Sequence, residues 1–229
     1  MTCALETVTP SGAVFRLART PDPWVWPDWS HAGSDGTFGN RWDDPEASYR
    51  VLYASTTRFG ALIETLSPFR PDIATAAALS EIEGDNDPIA AGTVPREWFE
   101  RRLMGIAEVD GVFADVGAAG SLASLRSHLA SRGIHYGLSD IDAAAIRLNA
   151  PRGFTQEVSR FVYECRTEER RPFAGIHYRS RLDDGTSNWA IFEPGSNSPP
   201  PLHSFGFETV QPDDPDTVRA VALLGLRIF

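Results

Sequence analysis

The sequence predicts a single mixed α+β domain, and three observations carry that expectation. Short strand-like stretches interleave irregularly with amphipathic helical ones. No glycine-rich dinucleotide fingerprint opens a βαβ unit, which argues against a doubly wound parallel sheet. The 229 residues, 42% hydrophobic and 23% charged, supply one sizeable core and are too few for a long multidomain assembly.

Val14 to Leu17 reads as an opening strand. Thr20 to Asn40 is crowded with Pro, Gly, Trp, Ser and Asp, so a long loop is expected there. Arg50 to Ala54 reads as a strand with Val51 and Tyr53 on one face. Thr56 or Thr57 can then cap a helix carrying Phe59, Leu62, Ile63 and Leu66, which Pro68 ends. Ser80 to Pro95 is acidic and rich in Gly and Pro, as a surface connection is, and Pro95 suits the first turn of a helix over Arg96 to Met104.

A strand is expected over Val112 to Val116, followed by a helix from Ser121 to Ser131 that Gly133 stops. Another helix runs from Ser139 or Asp140 to Leu148, and a third from Phe154 to Cys165. Ala174 to Ser180 and Asn188 to Glu193 read as strands joined by a hairpin-type Asp-Asp-Gly-Thr connection. Pro199 to Pro201 marks a loop before a strand near Phe205 to Val210, and Asp214-Pro215 opens a last helix to about Leu224.

The balance of 21 basic against 31 acidic residues gives a net charge of −10, the wrong sign for general binding to nucleic acid or an anionic membrane. All 21 basic residues are arginine. That excludes Schiff-base lysine chemistry and a P-loop lysine, and leaves arginine, backbone N–H groups or a helix N-terminus to hold any anion. Cys3 and Cys165 look isolated, with no Cys-x-x-Cys or Cys/His cluster to suggest a metal site. No basic-then-apolar N-terminal region, no stretch near the ~20 apolar residues of a membrane span and no Asn-x-Ser/Thr acceptor occurs. A reduced compartment and a cytoplasmic location are the expectation.

Three residues invite a chemical reading. Arg41 lies in Gly39-Asn40-Arg41-Trp42, where it can clamp a phosphate or carboxylate in bidentate fashion or pair with Asp43 or Asp44. Glu64 falls off the apolar stripe of its helix, as a solvated glutamate does, unless that second face borders a cleft where a carboxylate stabilises an oxocarbenium-like sugar. Ser180 ends a strand, where its hydroxyl is either a turn device or a substrate contact. It has no nucleophile elbow and no histidine locally paired with it.

Ordered blocks now carry a resemblance: Val14-Phe15-Arg16-Leu17, Gly39-Asn40-Arg41-Trp42, Val51-Leu52-Tyr53-Ala54, Ala61-Leu62-Ile63-Glu64-Thr65-Leu66, Thr155-Gln156, Gly175 to Arg181, and Trp189-Ala190-Ile191-Phe192-Glu193. Together, over residues 14–193, they resemble the RES-domain family, named for its Arg, Glu and Ser. The resemblance implies an ADP-ribosyltransferase-like split β-sheet with peripheral helices. It also implies NAD as substrate, cleaved at the nicotinamide–ribose bond by phosphorolysis, with inorganic phosphate as co-substrate, or by hydrolysis. No cofactor or metal is implied.

By resemblance, Arg41, Glu64 and Ser180 take the catalytic positions, with Arg16 and Tyr53 as pocket residues. Arg16 and Arg41 would hold phosphates, Tyr53 pack on or orient the substrate, Glu64 stabilise the ribosyl cation, and Ser180 fix the nicotinamide–ribose end. Several members are toxins of bacterial toxin–antitoxin pairs, so a separate antitoxin chain is an implied partner, and a homo-oligomer stays open. The chain departs from compact members in its loop at 21–31 and its insert-like middle at about 80–150, within one domain spanning 1–229. An ADP-ribosyltransferase acting on a macromolecule and a noncatalytic NAD-sensing or partner-binding module remain alternatives.

Overall fold

The computed structural model describes residues 3–80, 92–147, 150–168, 170–195 and 201–229. In chain order the first elements are β1 (Thr7–Val8), β2 (Val14–Arg19), β3 (Val51–Ser55), α1 (Arg58–Leu66), α2 (Ile73–Ser80), β4 (Thr93–Val94), α3 (Arg96–Glu100) and β5 (Arg102–Val109). There follow β6 (Phe113–Asp115), α4 (Ala119–His135), α5 (Ala143–Arg147), α6 (Arg152–Glu164), β7 (Gly175–Arg179), β8 (Ser187–Phe192), β9 (Leu202–Thr209), α7 (Pro215–Leu224) and β10 (Arg227–Ile228). They build one α+β domain around a mixed eight-stranded sheet of order β1-β6-β7-β8-β3-β2-β5-β9, with β10 and β4 paired separately.

The sheet is divided near its middle. β3 and β8 share five register pairs from Val51↔Phe192 to Ser55↔Asn188, and β2 and β5 share six from Val14↔Ala107 to Arg19↔Arg102. Between these two halves, β2 and β3 meet at Phe15↔Ser55 alone. Strand alternation sends Val51, Ala190 and Phe192 to one face, where Phe154, Val158 and Val162 of α6 and Leu125 and Leu129 of α4 cover them. On the other half Leu17 and Met104 are covered by Phe59, Leu62, Ile63 and Leu66 of α1 and Ala220 and Leu224 of α7. Two helical groups thus flank an uncovered strip of the same face. The opposite face buries Leu52, Ala54, Ala107, Trp189 and Ile191 under Trp24 from the long loop.

Most expected elements are present, with instructive differences. The helix expected over Arg96 to Met104 ends at Glu100, and Arg102 starts a strand instead. Trp98, Phe99, Leu103 and Met104 mimic a helical stripe, but pairing of β5 on both sides with β2 and β9 wins. Residues 102–115 of the insert-like middle therefore supply two strands of the main sheet. Gly133 does not stop α4, which runs to His135; the glycine packs inside the helix, where an added Cβ would lie 3.2 Å from Ile141 Cδ1. Most of the acidic connection (81–91), Leu148 and residues 199–200 of the proline loop lie outside the described residues.

Cys3 and Cys165 are not isolated thiols. They form a disulfide with a Cα–Cα distance of 5.8 Å, joining the segment before β1 to the end of α6. A separation of 162 residues left no spacing signal, and the reading of reduced cysteines is corrected accordingly. No described helix is long and apolar enough to cross a membrane.

Candidate active site

The geometry begins with the seat of α1. Thr57 Oγ1 accepts the Gly60 N–H at 2.9 Å, closing the first turn. A Cβ on Gly60 would lie 2.1 Å from Ser55 Oγ and 2.6 Å from Thr186 Cγ2, so only glycine lets that turn lie on the end of β3. One helical turn on, Glu64 reaches the adjoining ends of β7 and β8. Ser180 Oγ donates to Glu64 Oε1 at 2.6 Å, and Asn188 Nδ2 donates to the same oxygen at 3.0 Å. Ser180 and Asn188 are 0% and 1% exposed, and Ser180 Oγ also accepts the Leu182 N–H at 3.0 Å. One carboxylate oxygen is anchored from behind; Oε2 has no hydrogen-bond partner among the described residues.

Across from Glu64, the loop bearing Arg41 is pinned at almost every residue. Gly39 adopts φ +70°, which lets the chain turn into it. The Asn40 N–H and Nδ2 each donate to Asp43 Oδ2 at 2.8 Å, and Tyr53 Oη donates to Asp43 Oδ1 at 2.7 Å. Tyr53 Oη also accepts the Trp42 N–H at 3.0 Å, while Ser159 Oγ donates to Trp42 O at 2.6 Å. Burial raises the Asp43 carboxyl despite these donors, and burial together with Asp43 pushes the Tyr53 phenol well above its ordinary value.

Arg41 pairs with neither neighbouring acid. Asp43 is held as described, and Asp44 accepts from Arg160 and the Ser48 N–H. Arg41 donates instead from Nη2 to Ile146 O, and its guanidinium carbon lies 5.3 Å from the Trp42 ring centroid and 5.5 Å from that of Tyr178. Its Nε is buried without a partner among the described residues. Burial lowers the Arg41 pKa while Tyr178 and Glu64 raise it. Burial likewise raises the Tyr178 phenol, with Glu64 adding to the effect.

Arg16 bridges the divided sheet. Its Nε donates to Pro23 O at 2.8 Å and its Nη1 to Tyr53 O at 2.9 Å, so the guanidinium spans β2 and β3 where the backbone ladder is missing. Burial lowers its pKa to about 10. Two of its donors are spent on main-chain carbonyls, so the guanidinium also clamps the two halves of the sheet.

These residues converge on the uncovered strip between the helical groups. A cleft of about 440 Å³ is lined by Arg41, Tyr53, Glu64 and Tyr178, with Arg70, Arg152 and Arg181 at its walls. A small cavity of about 60 Å³ carrying Arg16, Tyr53, Glu64 and Asn188 adjoins it. Four arginines face one carboxylate, and none of them forms an ion pair among the described residues. Ser180 sits behind Glu64 rather than on the cleft wall. Sequence reasoning did not single out Asn188, Tyr178, Arg70, Arg152 or Arg181 as site residues. Tyr178 and Arg181 lay within a recognised block, whereas Asn188 reads simply as the start of a strand.

A divided α+β sheet, an Arg loop facing a serine-anchored glutamate and an arginine-lined cleft together make up the candidate site. The chain belongs to the RES domain family, whose model matches residues 13–205. Neither a curated protein nor a solved structure matches it.

Proposed function

We propose that the protein cleaves NAD at the bond between nicotinamide and ribose. The observation that carries this reading is the Glu64 carboxylate, anchored through Oε1 and free at Oε2, on the wall of an arginine-lined cleft. As the glycosidic bond breaks, its electron pair leaves with nicotinamide, which departs neutral, and positive charge develops on the ribose C1. A fixed carboxylate stabilises that charge without reorganising. The pyrophosphate takes the arginines, of which Arg41 is held over aromatic faces with its Nε–H unpartnered among the described residues. Tyr178 and Tyr53 supply flat surface for the substrate.

Ser180 and Asn188 act as positioning residues through Glu64, and Arg16 and Asp43 hold the two halves of the sheet and the Arg41 loop in place. Phosphate oxygen attacking C1 gives ADP-ribose 1″-phosphate; water attacking gives ADP-ribose and releases a proton. Purified protein incubated with NAD, with and without phosphate, tests the reading. Nicotinamide release supports it, and the ribosyl product identifies the acceptor. Label retained on protein indicates a transferase, and NAD binding without any turnover by folded protein overturns the proposal.

A further inference from the structure

A second basic groove lies outside the cleft. It has a volume of about 670 Å³, shares no lining residue with the cleft, and is walled by Arg19, Trp98, Arg101 and Arg102. Arg19 closes β2 and Arg102 opens β5, and the two are direct partners in the antiparallel ladder, so their side chains stand side by side on one face. Like charges placed directly opposite one another destabilise a sheet. Arg102 is held there: its Nη1 donates to Trp98 O at 2.9 Å, and its guanidinium carbon lies 3.7 Å from the Trp98 ring centroid. Burial, with Arg19 adding to the effect, lowers the Arg102 pKa to about 10.

In a chain of net charge −10, counterions for this cluster are plentiful, yet none of the described residues supplies one. Arg19, Arg101 and Arg102 form no ion pair among the described residues, although Glu97 lines the same groove. Phe69 packs against Trp98 at 5.6 Å in an edge-to-face arrangement. The arrangement combines three arginine donors with a flat, immobilised aromatic, and it leaves a repulsion that no ion pair among the described residues relieves.

We propose that this groove binds a phosphate group, either free or carried by a nucleotide. Arg19 and Arg101 close on the anion from the strand end and the turn, and Arg102, already stacked, supplies the fixed charge beneath it. The inference stands independently of NAD cleavage, because none of these residues lines the cleft.

The test follows the Trp98 indole N–H signal by two-dimensional NMR, assigned through Trp98→Phe, while inorganic phosphate and separately ADP are titrated at constant ionic strength. The indole signal is expected to move with a saturable midpoint, and Arg101→Gln or Arg19→Gln should weaken that midpoint about tenfold with the other indole signals unchanged. Movement with ADP alone assigns a nucleotide-borne phosphate, and equal midpoints for the two assign the free anion. A Trp98 signal that stays still with both ligands, moves equally with chloride, or titrates identically in the two arginine variants overturns the proposal. Arg19→Gln adds a readout independent of ligand: with the repulsion gone, its Tm in phosphate-free buffer should exceed that of the wild type, and a Tm that falls instead counts against the cluster being strained.

Discussion

Glu64 sits away from the apolar stripe of its own helix, and its position off that stripe is what turns it toward the cleft. Periodicity alone described it as a solvated residue; the hydrogen bonds from Ser180 and Asn188 come from strand ends 116 and 124 residues away, which no local pattern encodes. Glu64→Gln keeps the shape and removes the charge. Turnover should fall by ~10²-fold or more with Tm near that of the wild type, and unchanged turnover removes Glu64 from the mechanism. Ser180→Ala tests the anchoring role separately. Because Ser180 does not line the cleft, kcat is expected to fall about tenfold while KM stays near the wild-type value, as for loss of an interaction that matters in the transition state. A large rise in KM with kcat intact would make Ser180 a substrate contact instead. The Arg, Glu and Ser positions were legible as recognised blocks, whereas Asn188 was not, because a strand-opening asparagine has no signature until its partner is in place.

At the scale of elements, the sequence was most readable where one local signal ruled. The Thr57 cap, the Pro215 first turn of α7 and the Asp-Asp-Gly-Thr connection between β7 and β8 all lie where turn and helix-start chemistry put them, although Asp214 makes no side-chain cap. It was least readable at β5, where a helix-like stripe was overridden by partners on either side. The β3 and β8 pair ends in a charge-assisted clasp: Arg50 donates from Nε to Glu193 Oε2 at 2.7 Å and from Nη2 to Oε1, and from Nη1 to Pro27 O in the long loop. These bonds hold the Glu193 carboxyl below the ordinary carboxylate range. The unfolded chain therefore binds that proton more tightly, so the contribution to stability is present above the ordinary carboxylate range and is lost as pH falls below it through the lowered folded value. Glu193→Gln should cost about 1 kcal/mol at pH 7 and much less near pH 3. Urea unfolding at both values checks this, and an equal difference at the two would refute it.

For the whole molecule, the disulfide ties the segment before β1 to the end of α6 and closes nearly three-quarters of the chain into a loop of 162-residue separation. Cys3→Ser should lower stability by about 2–4 kcal/mol, measured by denaturant unfolding without reductant, and reductant should lower the wild type toward the variant. Identical curves for all three would show that the bridge contributes nothing. The single α+β domain was legible because strand and helix signals alternate without a fingerprint, but the division of the sheet between β2 and β3 was not readable from composition or spacing, since it depends on which strands fail to pair. The topology also has a consequence in time. The Arg41 loop and α1 leave the ribosome early, yet Asn188 follows Glu64 by 124 residues and lies more than four-fifths of the way along the 229-residue chain. At about 5–20 residues per second, that interval is about 6–25 s. For all but the last few residues of that interval the nascent chain carries a glutamate with neither anchor, and a product broken off before β8 would lack the Asn188 hydrogen bond for good.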